Sequence, residues 1–266
     1  MKKKLRFLVF FITALTVCSH GSSTVFSISP ENDIHLAETP DAGIDYQNSL
    51  VFFGESTTTH LKSRGVLKDG KKTEQVWANK SGTMLLSPKI ISQRIIDPKT
   101  GEHLTVEQAA KREQPAYMIL SFGLNGIVGF AKNKNAYLES YQKLIDAIQK
   151  ASPKTAIILQ TVYPVTSPVN ASDWHFSESV EEVNRMIELV NGYLPALAEA
   201  NTGVKIADTA SILKDANGML RREYATEDGI HLTEAAYTQI LSYLRTHAYH
   251  IPTPLPITKD QWREHA

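Results

Sequence analysis

Between residues 50 and 207 the chain alternates short apolar runs with longer stretches in which apolar residues recur every three or four positions. Five segments read as strands: Leu50 to Phe53, Gln75 to Trp77, Tyr117 to Phe122, Ala156 to Val162 and Val204 to Ala207. Most are unbroken apolar runs, as expected for strands covered on both faces of a parallel sheet, and Ala156-Ile157-Ile158-Leu159 fits a central position. The helix signals are sharper. Thr105-Val106-Glu107-Gln108 has the capping-box pattern and opens a helix that Pro115 stops. Tyr137, Leu138, Tyr141, Leu144, Ile145 and Ile148 form one apolar stripe on a second helix, which ends before Pro153. A third runs from Ser179 to Ala200, interrupted near Gly192 and Pro195, with Gly203 as a stop; the last runs from Thr233, its cap, to His247. Strands alternating with helices predict an α/β fold with a mostly parallel sheet.

Residues 22–48 show neither period and read as a linker and N-terminal arm. Ahead of them, Lys2 to Arg6 form a basic stretch and Phe7 to Val17 an apolar run, the order of a secretory signal spanning residues 1–21. That run is shorter than the roughly 20 residues a membrane-crossing helix needs. Val17-Cys18-Ser19 and Ser19-His20-Gly21 both offer acceptable residues around a cleavage point. The expectation is an extracytoplasmic protein, secreted or associated with the cell envelope, whose working domain covers residues 49–266. Cys18 is the single cysteine of 266 residues and stands where a lipoprotein carries its anchor, but Val17 replaces the small residue such signals place before it. The folded part therefore has no disulfide and no thiolate chemistry. Lys plus Arg and Asp plus Glu are equal at 28 each, which offers no electrostatic footprint for nucleic acid.

The first strand runs into Gly54-Glu55-Ser56-Thr57, placing a serine beyond a strand's carboxyl end, where open α/β sheets hold their ligands. A serine hydroxyl needs a base to become a nucleophile. Asp228-Gly229-Ile230-His231 supplies one: an aspartate three residues before a histidine can curl back onto Nδ1 and leave Nε2 free. Directly after the third strand, Phe122-Gly123-Leu124-Asn125-Gly126 presents a side-chain amide that can donate to a developing oxyanion. Ser81-Gly82-Thr83 comes after the second strand, and the Gly82 N–H is a candidate second donor.

In this order the pieces resemble the SGNH hydrolase superfamily, also called GDSL-type lipases and esterases, from about residue 50 to 248. Gly54-Glu55-Ser56 matches its Gly-Asp-Ser block, Gly123-Leu124-Asn125-Gly126 its Gly-x-Asn-Asp block, and Asp228-Gly229-Ile230-His231 its Asp-x-x-His block. The resemblance implies a three-layer α/β/α sandwich with a five-stranded sheet. It implies Ser56 as nucleophile, His231 as base, Asp228 as its orienter, and an oxyanion hole of Ser56 N–H, Gly82 N–H and Asn125. Glu55 in place of aspartate, and Gly126 in place of the aspartate after the asparagine, mark a divergent branch. The glycine block is the weakest match, and Gly70 or Gly65 are alternatives to Gly82.

His60, four residues after Ser56, reads as a surface or supporting residue, and His103 and His175 as solvated loop residues. No histidine pair has metal-ligand spacing and no nucleotide-binding glycine motif occurs, so neither metal nor cofactor is implied. The long loop Tyr163 to Phe176 carries Trp174 and Phe176, which either line a substrate subsite or pack the loop onto the body. The expected activity is cleavage of a small-molecule or glycan ester, with O-acetyl groups of envelope or environmental glycans as one candidate. An acyltransferase acting on envelope polysaccharide, or a glycan-binding protein that keeps the fold without catalysis, are the alternatives.

Overall fold

The computed structural model describes residues 33–249. The signal-like segment, Cys18 and the cleavage points lie outside the described residues. Five parallel strands, β1 (Leu50–Gly54), β2 (Val76–Trp77), β5 (Tyr117–Ser121), β6 (Ala156–Gln160) and β7 (Val204–Ala207), form the central sheet in the order β2-β1-β5-β6-β7. Along each strand, side chains alternate between two separate apolar clusters. Phe53, Met118, Leu120, Ile157 and Leu159 face one, and Phe52, Ile119 and Ile158 face the other. The first is covered by α3 (Val106–Glu113), α5 (Lys134–Ala151), α6 (Val180–Asn191) and α7 (Leu194–Ala200). The second is covered by α2 (Ser56–Arg64) and α8 (Glu234–Thr246). The result is the expected three-layer α/β/α sandwich, and covering on both faces is why β6 is buried at every position.

Local signals explain the helices. Thr105 and Gln108 exchange the two capping-box hydrogen bonds at the start of α3, and the chain leaves that helix at Gln114, in the left-handed region, just before Pro115. The stripe of α5 puts Tyr137, Tyr141, Leu144, Ile145 and Ile148 wholly inside. The interruption between α6 and α7 falls at Gly192 and Tyr193, with Pro195 in the first turn of α7.

Two features depart from the expectation. Within the stretch read as arm, α1 (Gly43–Ser49) forms, and Leu36 N–H donates to Ile206 O while Ile206 N–H donates to Ile34 O. This segment covers the outer edge of β7, which would otherwise stand unpaired. Its helix has a single buried side chain, Gln47, so no apolar period announces it. A small antiparallel pair, β3 (Arg94–Ile96) with β4 (His103–Thr105), adds a second sheet, and places the exposed His103 on a strand rather than a loop.

Candidate active site

The carboxyl ends of β1, β2 and β5 converge with the turn before α8. β1 ends at Gly54, where a side chain is impossible: a Cβ would lie 2.2 Å from Thr58 Oγ1 and 2.4 Å from Ser121 O. Glu55 is extended, and Ser56 is the first residue of α2. The N–H of Ser56 therefore has no acceptor within its own helix and stays available beside its own hydroxyl.

Ser56 Oγ lies 3.0 Å from His231 Nε2, although 175 residues separate them. His231 Nδ1 is 2.6 Å from Asp228 Oδ2. The other carboxylate oxygen of Asp228 accepts the N–H groups of Ile230 and His231, each at 2.9 Å, and the Thr226 hydroxyl at 2.8 Å. Partial burial alone would raise the Asp228 carboxyl, but these hydrogen bonds, led by the His231 ring, hold it well below the usual carboxylate range. The turn closes through Gly229, whose φ is +73° and whose added Cβ would meet Thr166 O at 2.1 Å. Thr166 N–H in turn donates to Gly229 O and Val169 N–H to Glu227 O, so the loop after β6 braces the turn.

Asn125 lies just past β5, and its Nδ2 donates to Thr83 Oγ1 at 3.0 Å, which leaves its second amide hydrogen unspent. The loop that carries it is gripped from below. Glu55, 2% exposed, accepts Gly123 N–H on Oε1 and Asn125 N–H on Oε2, both at 3.0 Å. Burial pushes this carboxyl up to about 7, against the pull of the backbone N–H groups of Asn125, Gly123 and Leu124. The residue that looks like a departure in the sequence is thus a positioning residue for Asn125.

Two expectations need correction. The Gly82 N–H is not a free donor: it closes a turn onto Asn79 O at 3.1 Å, and Gly82 lines a neighbouring depression rather than the one holding Ser56. The candidate oxyanion donors that remain are Ser56 N–H and the Asn125 amide. Trp174 and Phe176 do not line the cleft at Ser56. Their ring centroids lie 5.1 Å apart with the planes inclined by 54°, Trp174 Nε1 donates to Glu178 O, and both pack on the core beneath. The loop is pinned there because the Asn184 amide takes both backbone groups of Val165 and the Asn191 amide both of Val162. Of the two readings of His60, the structure favours the supporting one. Its ring centroid lies 4.6 Å from that of His231, its Nδ1 is buried without a partner, and burial, with the neighbouring His231, lowers its pKa to about 4. His175 is exposed, as expected. Thr83 and Thr226, which orient Asn125 and Asp228, carried no signal in the sequence beyond their type.

A model of the GDSL-like lipase/acylhydrolase family matches residues 52–239. None of the curated proteins compared matches the chain. Among solved structures, a Streptococcus pneumoniae protein provisionally described as a platelet activating factor is similar at 22% identity, over 76% of this chain and 85% of that one, with a TM-score of 0.54. A GDSL-like lipase from Bacteroides thetaiotaomicron is similar at 16% identity, over 77% of this chain and 89% of its own, with a TM-score of 0.51. At these identities the structures speak for a shared fold.

Proposed function

Because the chain belongs to the GDSL-like lipase/acylhydrolase family, we propose that it is an exported serine hydrolase that cleaves carboxylic esters through an acyl-enzyme on Ser56. The observation that carries this reading is the continuous chain Ser56 Oγ, His231 Nε2, His231 Nδ1, Asp228 Oδ2, with links of 3.0 and 2.6 Å. His231 accepts the Ser56 proton as Oγ bonds to the ester carbonyl carbon. The oxyanion takes hydrogen bonds from Ser56 N–H and the free Asn125 amide hydrogen. The carbon–oxygen bond to the alcohol then breaks and His231 returns the proton to the departing alkoxide. Water repeats the sequence on the acyl-enzyme: His231 removes its proton, the acid leaves, and Ser56 recovers its hydrogen. Ionised Asp228 holds the ring in the tautomer that leaves Nε2 unprotonated, and stabilises the imidazolium formed at each attack.

Export rests on the order of basic stretch, apolar run and small residues over 1–21. Intact-mass measurement on protein purified from its host tests it: a mature chain starting between Ser19 and Ser23 supports export, and retention of residues 1–17 refutes it. Catalysis is tested by Ser56→Ala, which should abolish both ester turnover and labelling by a fluorophosphonate while leaving the circular dichroism spectrum unchanged. Retained turnover would refute the assignment.

A further inference from the structure

At the amino ends of β1 and β2 a second cavity, of about 220 Å³, lies between the end of α1, the segment 68–75 and the β3–β4 turn. Four strand steps of about 3.3 Å separate its Leu50 wall from Gly54, so it stands about 13 Å back along β1 from the nucleophile's turn. None of its lining residues lines the cleft at Ser56, whose walls are the loop after β2, α4 (Ile127–Lys132) and the start of α5. We propose that this cavity is a non-catalytic binding site for a single neutral sugar ring.

What the wall leaves unspent points to a ligand. Gln75 is fully engaged: its Nε2 donates to Gln47 O and Leu50 O, and its Oε1 accepts Lys68 N–H. Ser49 Oγ donates to Tyr46 O. Asn48, on the same wall, is not engaged. Its Oδ1 is buried without a partner, and its amide makes no hydrogen bond among the described residues. Trp77 is 2% exposed, yet its Nε1 finds no acceptor among the described residues. Thr73, wholly buried, accepts Gln75 N–H on Oγ1 and keeps its own hydrogen. Enclosed amide, indole and hydroxyl groups are costly to leave unpaired, and the cavity they line is where partners can enter.

Charge and size narrow the class. Lys99 is paired with Glu113, and Asp97, 3% exposed, with Arg112. The lining charges without a salt bridge are Lys68, Asp69 and Glu74, all exposed and of both signs. An anion would meet the two carboxylates and a cation the lysine, while a hydrocarbon would leave Asn48 and Trp77 unpaired. A sugar hydroxyl both donates and accepts, which suits the amide, the indole N–H and a rim of mixed sign. Its C–H groups suit the apolar part of the wall, Leu50, Val51 and Ile95. At about 30 Å³ per water the volume equals about seven waters, room for one six-membered ring with its hydroxyls and too little for two.

The site is read by binding and stands or falls independently of the hydrolase reading. The test is saturation-transfer NMR on the whole protein with glucose, galactose, xylose and N-acetylglucosamine, and with citrate and choline as charged comparators. At least one sugar should bind with a dissociation constant on the order of 1 mM, and neither comparator should. Trp77→Phe, which keeps the bulk and removes the N–H, and Asn48→Leu, which removes the amide, should each weaken that binding by about tenfold. Circular dichroism checks folding; should Trp77→Phe fail to fold, Asn48→Leu decides, since its native side chain has no hydrogen bond to lose. A disaccharide that binds as well as its terminal sugar supports a glycan chain end as the occupant, and one that is excluded supports the free sugar. Absence of binding by every sugar at tens of millimolar, affinity unchanged in the folded variants, or preference for citrate or choline overturns the proposal.

Discussion

Replacing Glu55 by Gln separates the electrostatics of the buried clamp from its shape. The folded carboxyl titrates at about 7, raised chiefly by burial, against 4.5 for the free group. Between those values the folded chain keeps a proton that the unfolded chain has released. Stability contributed by the neutral form is therefore complete below about 4.5, falls as pH rises, and is lost above about 7. A shift of this size is worth about 3 kcal/mol in a site without solvent screening. His60 works in the opposite sense, because a pKa lowered to about 4 makes the folded chain give up a proton that the unfolded chain holds, so its contribution grows with pH. A melting curve of the native protein would mix the two. Urea unfolding of native protein and Glu55→Gln in parallel, at pH 4.5 to 8, removes the His60 contribution from the difference. Native minus variant stability should fall by about 3 kcal/mol across that range. A difference that stays flat or rises with pH would refute the reasoning, and would mean that the N–H groups of Gly123 and Asn125 outweigh burial and keep Glu55 ionised throughout.

Asn125→Ala should lower kcat on the order of a hundredfold or more with little change in KM, since the amide acts on developing charge; steady-state kinetics showing only a raised KM would reduce Asn125 to a binding or turn residue. Asp228→Asn should lower kcat by about 10²-fold or more, and His231→Ala further still, because the amide can hold the ring in the wrong tautomer but leaves a base in place. Equal activity of Asp228→Asn and native protein would remove Asp228 from the mechanism. His60→Arg should depress kcat by placing a fixed positive charge against the ring that becomes an imidazolium, whereas His60→Phe, which keeps the ring contact at 4.6 Å, should retain most turnover; identical rates in the two variants would leave His60 a packing residue only.

Much of the fold was legible because burial on both faces writes itself into composition. β6 is apolar over Ala156 to Leu159 since neither side meets water, and α5 repeats its stripe because one face meets the sheet. α1 was not legible. It buries only Gln47 and is held by Tyr46 against Tyr117 and by the return of the chain past α8, contacts with residues far along the sequence. β3 and β4, at three residues each, are too short for an alternation to be distinguished from chance. The same limit misled the reading of Gly82. β2 is two residues long and runs into an irregular loop, where a Ser-Gly-Thr sequence gives no hint that the glycine's N–H is taken up by Asn79.

The candidate catalytic residues were readable for a mechanical reason: Ser56, Asn125 and His231 each stand at a junction between regular elements, where sequence marks both the element and its end. Sequence does not carry the state of a polar group once folded. Trp174 and Phe176 look like a subsite wall until their partners are known. Glu55 is the reverse case. Set beside the family's aspartate it reads as a loss, yet β1 and β5 are paired with Gly54 opposite Ser121, so the backbone of the next loop turns directly over residue 55. There the longer side chain spans two N–H groups at once and holds the backbone that carries the Asn125 side chain. A substitution beside a nucleophile is thus to be judged by which backbone the register brings within its reach.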